Sequence, residues 1–210
     1  MDAIDCIQTR RSVRSFLNKP LSRETIGELL DAGRVAPTAG NLQDAKFLFV
    51  TDRDEKMKIA DACVEQAWIA TAPVVIVVGS EIARDERMYG ERGAKVYIYQ
   101  NAAAAVQNIL LCANALGLGA CWVGAFDDDI LRRAVNMPAN VVPQAVIPVG
   151  HTAKHENKIP KLDLENVVYA EKWGNRMEDM KSWLGDTSHK VKKAFDKTRD
   201  ILNIGTHGKK

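Results

Sequence analysis

Arginine and serine alternate near the amino end. Arg10, Ser12 and Arg14 stand at i, i+2 and i+4 within RRSVRSF (10–16), with Arg11 among them. In an extended segment such positions point to one side. Two guanidinium forks flanking a hydroxyl suit a phosphate or a polyol chain. A plainer reading stands beside this one: Arg10 and Arg11 close a short helix, where the helix dipole favours cations. A second cluster is the loop Pro37, Thr38, Ala39, Gly40, Asn41, Leu42, Gln43. Asn41 and Gln43 each carry donors and acceptors, which can read the edge of a heterocycle. The same residues also make an ordinary polar turn. The third is GLGACWVGAFDDDIL (117–131), a glycine-rich turn leading into a helix. Backbone N–H groups at such a turn can donate to a ligand that glycine lets approach closely. A helix cap followed by a tight strand gives the same pattern.

Side-chain catalysis has no such marker. No His/Asp/Ser constellation is apparent, and His151 and His155 read as surface or strand-end residues. Cys6, Cys63, Cys112 and Cys121 form no CxxC pair, so a zinc ribbon or a thioredoxin site is unsupported. Their apolar or helical surroundings suit structural thiols. No GxGxxG follows a strand and no GxxxxGK[ST] occurs, so neither a Rossmann site nor a P-loop is indicated.

The clusters need elements to hold them. Ile4 and Ile7 mark a short helix over 2–9. Ser22 is a good N-cap for a helix over roughly 22–35 with Ile26, Leu29, Leu30 and Gly33 on one face. KFLFVT (46–51) reads as a strand, and Asp54 as the cap of a helix into the low 60s. PVVIVVG (73–79) is a continuous β-branched run, the pattern of a strand covered on both faces. Residues 80–93, charged and punctuated by Gly90 and Gly93, read as a loop or lid. A long helix follows from about residue 94 to residue 116, its AAAAV run (102–106) allowing close approach by another element. ACWVG (120–124) is a short strand or turn, and Asp127 caps a helix that stops before Pro138. VVPQAVIPVG (141–150) is a strand whose Pro143 and Pro148 should place it at an edge or interrupt it.

The totals narrow the class. The chain has 210 residues, 46% of them hydrophobic, enough for one sizeable core. Its 29 basic and 27 acidic residues leave a net charge of +2, which argues against a nucleic-acid binder. No apolar run approaches the roughly 18–20 residues of a membrane span, and MDAIDCIQTRR lacks the apolar core of a signal peptide. A cytoplasmic protein with no membrane or nucleic-acid partner is the expectation. After Gly174 the composition turns to lysine, aspartate and serine, with a helical apolar stripe from Val191 to Leu202 and a polar GTHGKK end. Two regions are therefore expected: 1–174, and a C-terminal helical extension over 175–210 with a disordered end.

Taken together, RRSVRSF, APTAGNLQDAKFLFV (36–50), APVVIVV (72–78), GLGACWVGAFD (117–127), PQAVIPVGH (143–151) and LENVVYAEKWG (164–174) follow one another in a familiar order and spacing. Over about residues 2–174 the chain resembles the nitroreductase family of small FMN-dependent oxidoreductases. The resemblance implies an α+β fold: a central, mainly antiparallel sheet flanked by helices, with a long central helix at a dimer interface. It implies a homodimer with FMN at the interface. Arg10, Ser12 and Arg14 match the family's contacts to phosphate, ribityl and pyrimidine oxygens, with Arg11 among them. Pro37, Thr38, Ala39 and Asn41 match the loop that reaches the flavin from the other subunit, and Gln43 the glutamine of that motif. Gly124 and Ala125 match the turn that donates to flavin N5. Lys161 stands where the family often has a phosphate-binding arginine, but lysine lacks the bidentate fork. The implied reaction is ping-pong: NADH or NADPH reduces FMN by hydride transfer to N5, and a nitroaromatic, quinone or similar small acceptor reoxidises it. The chemistry is the flavin's, so no catalytic side chain and no metal ligand is expected. A non-catalytic FMN-binding or storage protein is the alternative, as is a dehalogenase or flavin-destroying enzyme on a related fold.

Departures from the family pattern also carry expectations. Asp44-Ala45 follows Gln43 where relatives have Pro-Trp or Pro-His, placing a carboxylate on the expected substrate flank. Glu65-Gln66 stands where many relatives carry asparagine, leaving a pyrimidine-edge contact either absent or made by Gln66.

Overall fold

Several helices begin where a side-chain oxygen satisfies the first free N–H groups. In the computed structural model, which describes residues 1–152, 156–157, 159–177 and 183, helix α1 spans Ala3–Thr9 with Asp2 as its cap. Helix α2 spans Arg23–Arg34, capped by Ser22, whose hydroxyl accepts the Thr25 N–H at 3.1 Å. Strand β1 is Ala45–Val50 and helix α3 is Arg53–Ala62. The cap of α3 is Asp52, not Asp54: Asp52 is extended and its carboxylate accepts the N–H groups of Asp54 and Glu55. Asp54 sits within the first turn, where its charge favours the helix start.

Strand β2, Val74–Glu81, is buried from Val74 to Ser80, as its β-branched run requires. Residues 80–93 are not a loop. Helix α4 runs Ile82–Arg92, a π-helical turn covers Gly93–Tyr97, and helix α5 covers Ile98–Ala115. The two glycines bend a helical run. Gly90 takes a left-handed φ of 59°, and a Cβ on Gly93 would overlap the Asp85 carbonyl. Strand β3 is only Gly119–Ala120, helix α6 is Asp128–Ala134 with the expected Asp127 cap, and strand β4 is Val141–Gly150.

The four strands form one antiparallel sheet in the order β1-β2-β4-β3. Thus β4 lies inside the order, and its prolines are accommodated in two ways. The ladder slips between Val78 and Gly79, so Gly79 faces Pro143 and Gln144 is the extra residue of a bulge. Pro148 accepts the Cys121 N–H, so its missing donor faces the two-residue β3 and costs no bond to β2.

Alternation along β2 divides the core in two. Val74, Ile76 and Val78 pack with Ile147 against α2 and α5. Val75 and Val77 pack with Val146 against Ile59, Ile69 and Leu131. Gly33 permits the closest approach on the first side: a Cβ there would stand 3.0 Å from both Ile109 and Phe47.

These elements belong to a compact unit over Met1–Asn157, and a second unit covers Lys158–Lys210. In the latter, a single helical turn spans Leu164–Asn166, and Tyr169 bridges Arg176 and packs on Trp173. The apolar stripe expected over 191–202 lies outside the described residues. Among the described residues no helix is long and apolar enough to cross a membrane.

Candidate functional site

The 10–16 segment leaves α1 and runs beside the sheet. Ser12 forms a parallel bridge with Ala120, and the Val13 N–H donates to the Ala120 carbonyl at 3.0 Å. Val13 is buried against Gly119, whose missing Cβ makes the room. The strand-like geometry then turns Arg10, Ser12 and Arg14 the other way. Cys121 reports where they go. Burial pushes its thiol up, and Arg14, the Ser12 side chain and Arg10 each pull it partway back. All three therefore lie within electrostatic reach of Cys121, next to β3. Arg11 does not join them: its guanidinium turns back to donate to the Gln8 and Arg10 carbonyls.

Among the described residues no carboxylate lies within ion-pair distance of Arg10 or Arg14. Arg14 instead lies over the Trp68 ring, 5.9 Å from its centre, and Phe16 stacks on the same ring at 6.5 Å. Trp68 is fixed in turn by its indole N–H, which donates to Gln66 Oε1 at 3.2 Å. The Gln66 amide nitrogen donates to the Cys63 carbonyl, so both ends of that side chain are engaged locally. Gly124 and Ala125 follow Cys121 on the exposed side of the turn. Among the described residues their N–H groups donate to no backbone carbonyl.

The 37–43 loop folds elsewhere in the chain, with no hydrogen bond to 10–14 among the described residues. It makes a short helical turn at Ala39–Asn41, with Gly40, Asn41 and Gln43 all left-handed at φ 55°, 56° and 54°. Thr38 Oγ1 accepts the Gln43 N–H, and Thr38 and Gln43 line a cavity of about 190 Å³ beside Gly33 and Phe47. A Cβ on Gly40 would overlap the Tyr89 hydroxyl. Asp44 does not flank this loop as an exposed carboxylate. It is fully buried and accepts a hydrogen bond from Asn101 Nδ2 at 2.8 Å. Its backbone enters β1 directly, which turns the side chain inward. Lys161 is exposed and lies in the second unit.

Four contributors had no marker in the sequence. Trp68 and Cys121 sit in apolar surroundings that read as core. Asp85 belongs to the stretch read as a loop. Asn101 was the most accessible, being a polar residue directly before an alanine run.

The geometry now on the page is that of a known class. The model of the Nitroreductase family matches residues 7–70 and 64–151. A protein of Methanothermobacter thermautotrophicus, provisionally named as an NADH dehydrogenase/NAD(P)H nitroreductase, is 33% identical over 82% of this chain and 88% of its own. The chain belongs to the nitroreductase family, and its α+β architecture is the fold of that family. An FMN reductase [NAD(P)H] of Bacillus subtilis is 26% identical over 99% of this chain and 86% of its own. The solved NADPH:FMN oxidoreductase of Vibrio harveyi, in complex with NAD+, superposes with a TM-score of 0.75 at 20% identity, covering 95% of this chain and 90% of that one.

Proposed function

We propose that this oxidoreductase binds FMN and uses NADH or NADPH to reduce nitroaromatics, quinones or related small acceptors in ping-pong order. The observation that carries the reading is the pair of guanidinium groups, Arg10 and Arg14, both within electrostatic reach of Cys121, with Ser12 between them in the chain and no carboxylate partner among the described residues. Two fixed cations without a counter-ion make a site for an anion, and a phosphate monoester carries about −1.5 to −2 near neutral pH. Bound FMN supplies hydride exchange between nicotinamide and acceptor.

The chain's own groups provide the setting. Arg10 and Arg14 neutralise anionic oxygens, and the Trp68 ring gives Arg14 a cation–π contact. The Ser12 hydroxyl donates between them. The open N–H groups of Gly124 and Ala125 provide donors for flavin N5. Exposed Ile4 and Ile7 on α1 and Tyr99 on α5 leave apolar surface for a second copy of the chain. In that homodimer Pro37, Thr38, Ala39, Asn41 and Gln43 of the partner's loop complete the pocket, which fits a loop with no tie to 10–14 of its own chain. Arg11 supports the segment through its backbone bonds. Residues 1–174 form the flavin unit in this reading, and 175–210 a helical extension of it.

Purified protein reconstituted with FMN should be yellow and should bleach with NADH or NADPH in the absence of oxygen. Turnover of a small acceptor panel then gives the preference. Protein that takes up no FMN, or bound flavin that no nicotinamide bleaches, refutes the assignment.

A further inference from the structure

Beneath the 37–43 loop lies a buried polar cluster that the flavin chemistry does not use. Asn101 of α5 uses both N–H donors of its amide and accepts at its oxygen. Its Oδ1 accepts the Ala39 N–H at 2.9 Å, and its Nδ2 donates to Asp44 Oδ1 at 2.8 Å and to Asp85 Oδ1 at 3.2 Å. Turning that amide over would set its oxygen against both carboxylates and remove all three bonds, so its orientation is fixed. Asp44 and Asp85 are fully buried, and Oδ2 of each has no partner.

Two ionised carboxylates on one amide, without a cation, would be desolvated and mutually repulsive. The charged and titratable groups around them are engaged elsewhere. Glu81 of β2 pairs with Lys46 of β1 at 3.4 Å, and its own N–H donates to the Asp44 carbonyl. Arg84 of α4 donates to the Leu42 carbonyl, and Tyr89 sits against Gly40. On the π turn, Tyr97 packs on Tyr89 and accepts from Arg92.

We propose that Asn101 is the positioning residue for the 38–43 loop, and that Asp44 and Asp85 hold it in place with Asp85 in its protonated form. The loop needs such an anchor. Three of its residues are left-handed, two of them not glycine, a conformation that persists only where surrounding bonds enforce it. The clamp also joins three elements: the start of β1 through Asp44, α4 through Asp85, and α5 through Asn101. That the loop it sets lies beside FMN rests on the function proposed above. The clamp itself does not.

A pH dependence follows. Burial first, and the charge of Asp44 second, raise the Asp85 carboxyl above its ordinary range, while the Asn101 bond pulls it partway back. A carboxyl raised on folding contributes stability that is complete below the ordinary carboxylate range and is lost as pH rises through the raised value. The anchor should loosen toward alkaline pH.

Asp85→Asn removes the titration while keeping an acceptor for Asn101 and adding a neutral donor for Asp44. The wild type should lose Ala39 amide protection, corrected for intrinsic exchange, and melting temperature as pH rises above the ordinary carboxylate range; Asp85→Asn should be flat on both. Asn101→Ala should lower Ala39 protection and FMN affinity about fivefold each, the worth of one neutral hydrogen bond. Parallel pH profiles for wild type and Asp85→Asn would overturn the retained proton. Unchanged Ala39 protection in Asn101→Ala would overturn the positioning role. Should Asn101→Ala not fold, the Asp85→Asn comparison decides alone. A wild type that takes up no FMN sinks the flavin reading, and exchange and melting still judge the clamp.

Discussion

Replacing Arg10 and Arg14 together by glutamine should weaken FMN binding by a factor of several hundred while leaving the fold intact. Arg10 is half-buried, so a charge-assisted bond from it to phosphate is worth about 2 kcal/mol, and exposed Arg14 sits at the lower end, about 1.5 kcal/mol. The sum of about 3.5 kcal/mol corresponds to roughly 400-fold in dissociation constant. Folding should barely notice. Neither guanidinium pairs with a carboxylate among the described residues, so no buried charge is orphaned, and the main structural loss is the Arg14–Trp68 contact, about 0.5–1 kcal/mol. The assay is quenching of free-flavin fluorescence on titration of apoprotein with FMN, next to thermal melts of the same samples without flavin. Raised salt should weaken the wild type more than the variant, because the charges it screens are gone from the latter. A double variant that binds FMN within threefold of wild type, with an unchanged melt, would show that these side chains do not hold the phosphate.

Two other outcomes follow from the packing. Gly33→Ala inserts a methyl 3.0 Å from Ile109 and Phe47, and should cost about 1–3 kcal/mol of overpacking in a denaturant titration; a variant as stable as wild type would show that α2 shifts freely. Burial pushes the Cys63 thiol up to about 12, so in the folded protein it should resist thiol reagents at pH 8. The sign of its linkage is set by that rise: its contribution is whole below the ordinary thiol range and falls away as pH climbs from about 9 toward 12. Rapid modification of Cys63 under native conditions would contradict its placement.

Much of the frame was legible because its signals are local. Ser22 and Asp127 announced their helices, and the β-branched run of β2 announced a strand covered on both sides. The alternation of Arg10, Ser12 and Arg14 pointed to a common side, and all three act on the Cys121 thiol. Three features were hidden for physical reasons. The stretch 80–93 looked like a loop because glycine ordinarily breaks helices, yet Gly90 and Gly93 only bend this one, and the residues before them are good helix formers. The prolines of β4 suggested an edge or an interruption; the strand is interrupted by a bulge beside Pro143 and sits inside the sheet next to a two-residue neighbour. Asp44 looked like a surface flank because a carboxylate is seldom fully buried without a partner. Its partner, Asn101, lies 57 residues away, a distance that no window of sequence can span.

The seating of Val13 against Gly119 has one more consequence. It works as a parity lock. Because successive side chains of an extended segment face opposite ways, an insertion or deletion of one residue between Val13 and Arg10 would send the cation meant for Cys121 to the far side, whereas a change of two would return it. Chain length ahead of the lock is thus quantised in pairs, and the absence of a single methyl group at Gly119 is what sets the count.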